Sequence, residues 1–178
     1  MKKILSLLIL LRFALVSCDS KKNLSEYGDL FARLMKNEKG IFRGLILGLK
    51  PSQVKEAEGV RPQQEEESYL FYDFILDTAE SYTLEYNFDE RGLSEMRLDA
   101  YFIQEADARA LYESFKAYYT DRFGEVNDFY GFTAWDIVQD NRRIRIELAD
   151  ESAEYRQGKF SLLIYFSIEA PIFKKENP

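Results

Sequence analysis

The chain has 178 residues, with 24 lysines and arginines against 31 aspartates and glutamates, a net charge of −7, one cysteine and no histidine. Without imidazole there is no Ser-His-Asp or Cys-His nucleophile, no histidine general base and no common zinc ligand set, so neither a cofactor nor a metal site is expected. The acidic balance repels phosphates and anionic headgroups, so nucleic acid is not an expected partner.

The chain opens Met1-Lys2-Lys3, continues with an apolar run from Ile4 to Leu11, and after Arg12 reaches Leu15-Val16-Ser17-Cys18. A basic start, a short apolar segment and small residues before a cleavage point are the parts of a secretory signal. Arg12 and Asp19 interrupt any stretch of about twenty apolar residues, the length a membrane span needs. The Leu-Val-Ser-Cys run after a Lys-Lys start resembles the lipid-attachment motif of bacterial lipoproteins. That resemblance implies that residues 1–17 are a signal peptide, that Cys18 carries a diacylglycerol and its new amino group a further acyl chain such as palmitate, and that the protein is lipid-anchored in the cell envelope. Two acyl chains hold a protein at a membrane, whereas one holds it only marginally. Asp19 after the lipidated cysteine resembles an inner-membrane retention signal in some bacteria and carries no such meaning in others, which leaves the choice of membrane open. Removal of the signal leaves 21 basic against 31 acidic residues, a charge of −10. Acylation of Cys18 also leaves no thiol for a disulfide, so the domain is held by its core alone.

Residues 18–40 read as the lipidated cysteine, a polar tether and a short helix. Leu24, Tyr27, Leu30, Phe31 and Leu34 recur at three- and four-residue steps, which predicts an amphipathic helix stopped at Gly40. Beyond it runs Gly-Leu-Lys-Pro-Ser-Gln-Val-Lys-Glu-Ala-Glu-Gly, from Gly48 to Gly59, in which Ser52 is placed to cap a second short helix and Gly59 to end it. This glycine, turn, capped helix and closing glycine resemble the opening element of small envelope α+β domains, namely the SmpA/OmlA type of outer-membrane assembly lipoproteins and domains shaped like the β-lactamase inhibitory protein. The resemblance implies a partner that is another envelope protein.

Strand signals follow. Ser68 to Leu76 is dense in aromatic and β-branched residues, and Tyr82, Leu84, Tyr86 and Phe88 alternate with polar neighbours. Asp89-Glu90-Arg91-Gly92 is a tight turn into Leu93, Met96, Leu98, Ala100 and Phe102. This Phe-Asp-Glu-Arg-Gly-Leu hairpin also looks like the meander of those lipoprotein domains. The Glu65-Glu66-Glu67 run before the strands reads as a solvated loop.

Glu105 to Phe123 carries a wide apolar stripe (Ala108, Leu111, Phe115, Tyr118, Tyr119), acids in its first turn, Arg122 in its last and Gly124 as the stop, which predicts a helix covering a sheet. Phe132 to Val138, Arg142 to Leu148 and Lys159 to Ile168 read as three more strands, with Asp140-Asn141 as a hairpin turn. Trp135 is expected in the core or between the halves.

The order predicts an α+β, two-layer fold, a tandem α-β-β-β repeat over residues 41–178 with halves at about 41–103 and 104–170, its antiparallel sheet covered on one face by helices. The other face then lies open. Arg97, Tyr101, Arg143, Arg145 and Tyr165 fall on it by alternation and form the candidate binding surface, since tyrosine and arginine favour protein interfaces; an ordinary cross-strand charge ladder looks the same. The expected function is a membrane-anchored, non-catalytic protein-binding or assembly module. Two alternatives remain: a carboxylate-dependent hydrolase of envelope glycans, which needs two acids facing each other across a cleft, and a structural lipoprotein without a discrete site.

Overall fold

The computed structural model describes residues 22–129 and 132–167; the signal segment and Cys18 lie outside the described residues. Two antiparallel meanders build the molecule. The first contains β1 (Gln64–Glu66), β2 (Tyr69–Asp77), β3 (Glu80–Asp89) and β4 (Gly92–Phe102), and the second β5 (Asn127–Phe129), β6 (Phe132–Gln139), β7 (Arg142–Asp150) and β8 (Gly158–Phe166). The sheet order β1-β2-β3-β4-β8-β7-β6-β5 joins the two halves through their last strands. Register makes the symmetry visible: Leu84 lies opposite Leu98, Leu98 opposite Leu162, and Leu162 opposite Leu148. These four buried leucines cross the centre of the sheet in one row.

Helix α2 (Pro51–Glu58) precedes the first meander and α3 (Glu105–Phe123) the second, which is the expected tandem arrangement with one edge strand added to each half. Strand β1 takes in Glu65 and Glu66, pairing them with Leu70 and Tyr69, where a solvated loop was expected, and leaves Glu67 in the turn that follows. All three β1 residues are exposed, so no burial alternation marks the strand. The charges of Glu65 and Glu66 also deter a further chain from pairing at this edge.

The helix layer sits on one face because the inward side chains of the central strands are apolar or aromatic, while Thr133 and Asp150 at the margin of that face contact Tyr112 and Arg109 of α3. Phe115 stacks on Phe160 at 5.1 Å, Tyr119 packs on Trp135 at 5.6 Å, and Trp135 donates its indole N–H to the carbonyl of Gly124 at 3.1 Å. Trp135 is thus a core residue, as the sequence suggests. The amphipathic segment after the tether is not one helix: a 3-10 turn (Leu24–Tyr27) and α1 (Asp29–Met35) are separated by Gly28, whose φ of +119° is open to glycine at little cost. This break lets Tyr27 meet Tyr118 edge-on at 5.3 Å while Phe31 meets Phe115 at 4.8 Å. Likewise α2 starts with Pro51, pre-set for a first helical turn, and Gln53 accepts the Lys50 N–H at 2.9 Å, so Ser52 is not its cap.

Two turns pin the first meander. Gly92 has φ +101°, and a Cβ there would lie 2.5 Å from the Gly48 carbonyl oxygen. That close approach is fixed by Gly48 N–H donating to Leu93 O and Leu93 N–H to Leu49 O, both at 2.7 Å. Under the helices, Arg43 donates from Nε and Nη2 to the two Glu58 carboxylate oxygens at 2.7 and 2.6 Å and from Nη1 to Leu34 O at 2.7 Å. Tyr86 donates to the same carboxylate, and Lys36 reaches it at 3.2 Å. The fork ties α1, the following loop, α2 and β3 together.

Candidate binding face

Facing away from the helices, the outward side chains of β2, β3, β4, β8, β7 and β6 form a continuous surface. All five sequence-predicted residues lie on it. Tyr165 stands directly between Glu95 and Arg145, and Arg143 lies one pleat beyond Arg145, opposite Val138. Arg97 sits one pleat from that row on β4, while Tyr101 lies at the far end of the same strand, opposite Lys159. The face is therefore one surface with two separated clusters.

The first cluster is the charge ladder of the second half. Arg145 places Nε and Nη2 on the two oxygens of Asp136, each at 3.0 Å, and Tyr165 donates to Glu147 at 2.9 Å. Arg145 is nearly buried, with 6 % of its surface exposed, so of the two readings that the sequence pattern allows, contact residue or cross-strand charge ladder, it fits the ladder. Burial first, and the Glu147 hydrogen bond second, push the Tyr165 hydroxyl up to about 12. Tyr69 on β2 is raised to about 12 in the same way, by burial and by the neighbouring Glu85 carboxylate.

The second cluster surrounds Lys159. Helix α4 (Ser152–Tyr155) folds its single turn over this end of the outer face and brings the Tyr155 ring to 3.9 Å from the Lys159 ammonium, with the Tyr101 ring at 5.7 Å on the other strand. Glu151 lies 2.8 Å from the ammonium and Asp99 3.7 Å. Ser161 Oγ lies 2.8 Å from Asp99 and 2.6 Å from Glu151, one hydroxyl hydrogen shared between two carboxylates. Arg97 donates to Asp99 at 2.6 Å. Burial pulls the Lys159 ammonium down, but its bonds to Glu151 and Tyr155 and the charges of Asp99 and Glu151 outweigh that and hold it above the ordinary lysine value.

Chemically, this is a saturated ion cluster. A serine activated by lysine needs a neutral amine and a free hydroxyl hydrogen; here the amine is held charged and the hydrogen is committed to carboxylates. Asp99 and Glu151 are paired with Arg97 and Lys159 and share Ser161 between them, an arrangement unlike the two acids spaced across a sugar ring that glycoside hydrolysis uses. Among the described residues no group of three or more acidic side chains is placed to hold a metal ion. Comparison with protein-family models, characterised proteins and solved structures found no match.

Lys159, Ser161, Glu151 and Tyr155 were not singled out from the sequence. Alternation in Phe160, Leu162 and Ile164 does place Lys159 and Ser161 outward, but nothing in a polar loop of nine residues shows that it folds back as a lid. Between the clusters the face is partly apolar: Leu163 is half-buried at its centre, and Ile75 on β2 and Val138 on β6 are 83 % and 76 % exposed at its flanks. A separate shallow cleft of about 360 Å³ lies between the start of α3 and α4, and the Arg109–Asp150 ion pair at 2.8 Å sits in its lining. No helix among the described residues is long and apolar enough to cross a membrane.

Proposed function

We propose that the protein is a bacterial envelope lipoprotein, anchored through Cys18, whose outer sheet face binds another envelope protein without catalysis. The observation that carries the reading is a sheet with one face covered by helices and the other left as a largely uncovered surface of tyrosines, fixed charges and exposed aliphatics. Single exposed aliphatics are ordinary, whereas Ile75, Val138, Leu163, Tyr101 and Tyr165 share one face. Its ion pairs hold the charged side chains in place before any partner arrives, which reduces the ordering cost of association. The resemblance of the Gly48–Gly59 element and the Phe88–Leu93 hairpin to elements of the SmpA/OmlA and β-lactamase-inhibitory-protein domains is in keeping with a protein as that partner.

Two measurements test the two parts. Labelled palmitate is expected to enter the wild-type chain and to be lost in Cys18→Ser; incorporation in the variant removes the anchor. A photo-crosslinking amino acid in place of Leu163 is expected to give a discrete adduct in intact envelopes, while the same group at Glu113 on α3 gives none. Equal adduct patterns from the two positions contradict a binding outer face.

A further inference from the structure

We infer that the anchored protein is held with its helix layer against the membrane and its outer sheet face turned away from it; this rests on the lipid-anchor reading. The geometry begins at Lys22, whose ammonium pairs with Asp121 of α3 at 2.8 Å, while Tyr27 donates to the same carboxylate oxygen at 2.9 Å. Asp121 follows the buried Tyr119 by two residues, about 200° around a helix. Its exposed carboxylate therefore marks a flank of α3 turned from the sheet. The chain thus enters the domain on the helix side, fastened there by a capped 3-10 turn and by Tyr27 on Tyr118.

Cys18 is four residues before Lys22, and four residues span at most about 14 Å when fully extended. A helix about 10–12 Å across, lying on a sheet with its own side chains beyond, puts the outer face roughly 20 Å from that flank. The tether is too short to go round the edge of the sheet. Release of Lys22 moves the first fixed point to the capping Asn23 and lengthens the tether to about 17 Å, closer to the thickness of the domain. The Lys22–Asp121–Tyr27 contact is consequently the element that sets the orientation, and the outer face is presented to a partner approaching from the aqueous side, not to lipid.

Introduced cysteines test this in the full-length protein in its own membrane, since acylation of Cys18 leaves no other thiol. Ala117→Cys lies one turn before Asp121 on α3, and Val138→Cys lies on the outer face. A bulky maleimide polymer is expected to modify Val138→Cys and to fail at Ala117→Cys, with both modified equally after detergent extraction. Adding Asp121→Ala is expected to restore modification at Ala117→Cys in the membrane. Equal modification of both positions in membranes, in a protein that does incorporate palmitate, overturns the orientation while leaving the anchor standing. Failure to incorporate palmitate overturns both.

Discussion

Each face of the sheet carries a buried ion cluster, and the two are covered by very different amounts of structure. Arg43–Glu58–Tyr86 lies under α1, α2 and the loop between them, and its donors tie those elements to β3. Lys159–Glu151–Asp99–Ser161 lies on the opposite face under one helical turn, which the cluster itself holds down. The first cluster belongs to the core and fixes where helices dock. The second keeps an exposed face in one conformation, and its loss changes the surface before it changes the fold.

The largest effect expected from this contrast is at Glu58. Glu58→Ala leaves the Arg43 guanidinium buried without its partner and is expected to cost about 3–5 kcal/mol, read from the midpoint of urea unfolding. Lys159→Met is expected to cost less, about 1–3 kcal/mol for a buried donor lost from its partners, and to speed tryptic cleavage at the exposed Arg156 well beyond what global destabilisation explains. If Lys159→Met instead slows cleavage or matches Glu58→Ala in stability, the two clusters are alike and the contrast fails. Gly92→Ala probes the pinned turn: a side chain at φ +101° against the Gly48 carbonyl is expected to cost about 1–3 kcal/mol by thermal unfolding.

Titration separates the clusters at opposite ends of the pH scale. Burial raises the Glu58 carboxyl, but Arg43, Tyr86 and Lys36 outweigh this and hold it below its ordinary 4.5. Its contribution to stability is therefore present above that value and is lost as pH falls through the folded-state value, so wild type and Glu58→Gln converge in acid. Lys159 is held above its ordinary 10.5, so its contribution is complete below that value and is lost as pH rises through the folded-state one. Wild type and Lys159→Met are thus expected to converge only in alkali. The smallest stability effect is at Arg97, a half-exposed partner of Asp99, where Arg97→Ala is expected to cost about 0–1 kcal/mol.

The sequence made the layered α+β architecture legible because its central strands alternate cleanly and α3 carries a continuous stripe. Strand pairing across the middle, β4 with β8, follows from no local signal, nor does β1, whose residues are exposed throughout. Gly28 could be recognised as a helix breaker only once its positive φ was known. At the candidate site, alternation assigned all five residues to the correct face, yet it could not distinguish Arg145, locked on Asp136, from a side chain free to meet a partner. Pleat sets direction; burial depends on what folds over the pleat. The α4 lid supplies that cover over Lys159, and a short polar loop gives no sign of it.

The outer face as a protein-binding surface is tested most directly by competition. The soluble domain, residues 19–178, is added to envelopes carrying the crosslinking group at Leu163, after circular dichroism shows that it and its Tyr101→Ala/Tyr165→Ala variant are folded. The wild-type domain is expected to abolish the adduct in a saturable manner, and the folded double variant to leave it intact. Equal competition by the two domains, or none by either, contradicts the outer face as the binding surface.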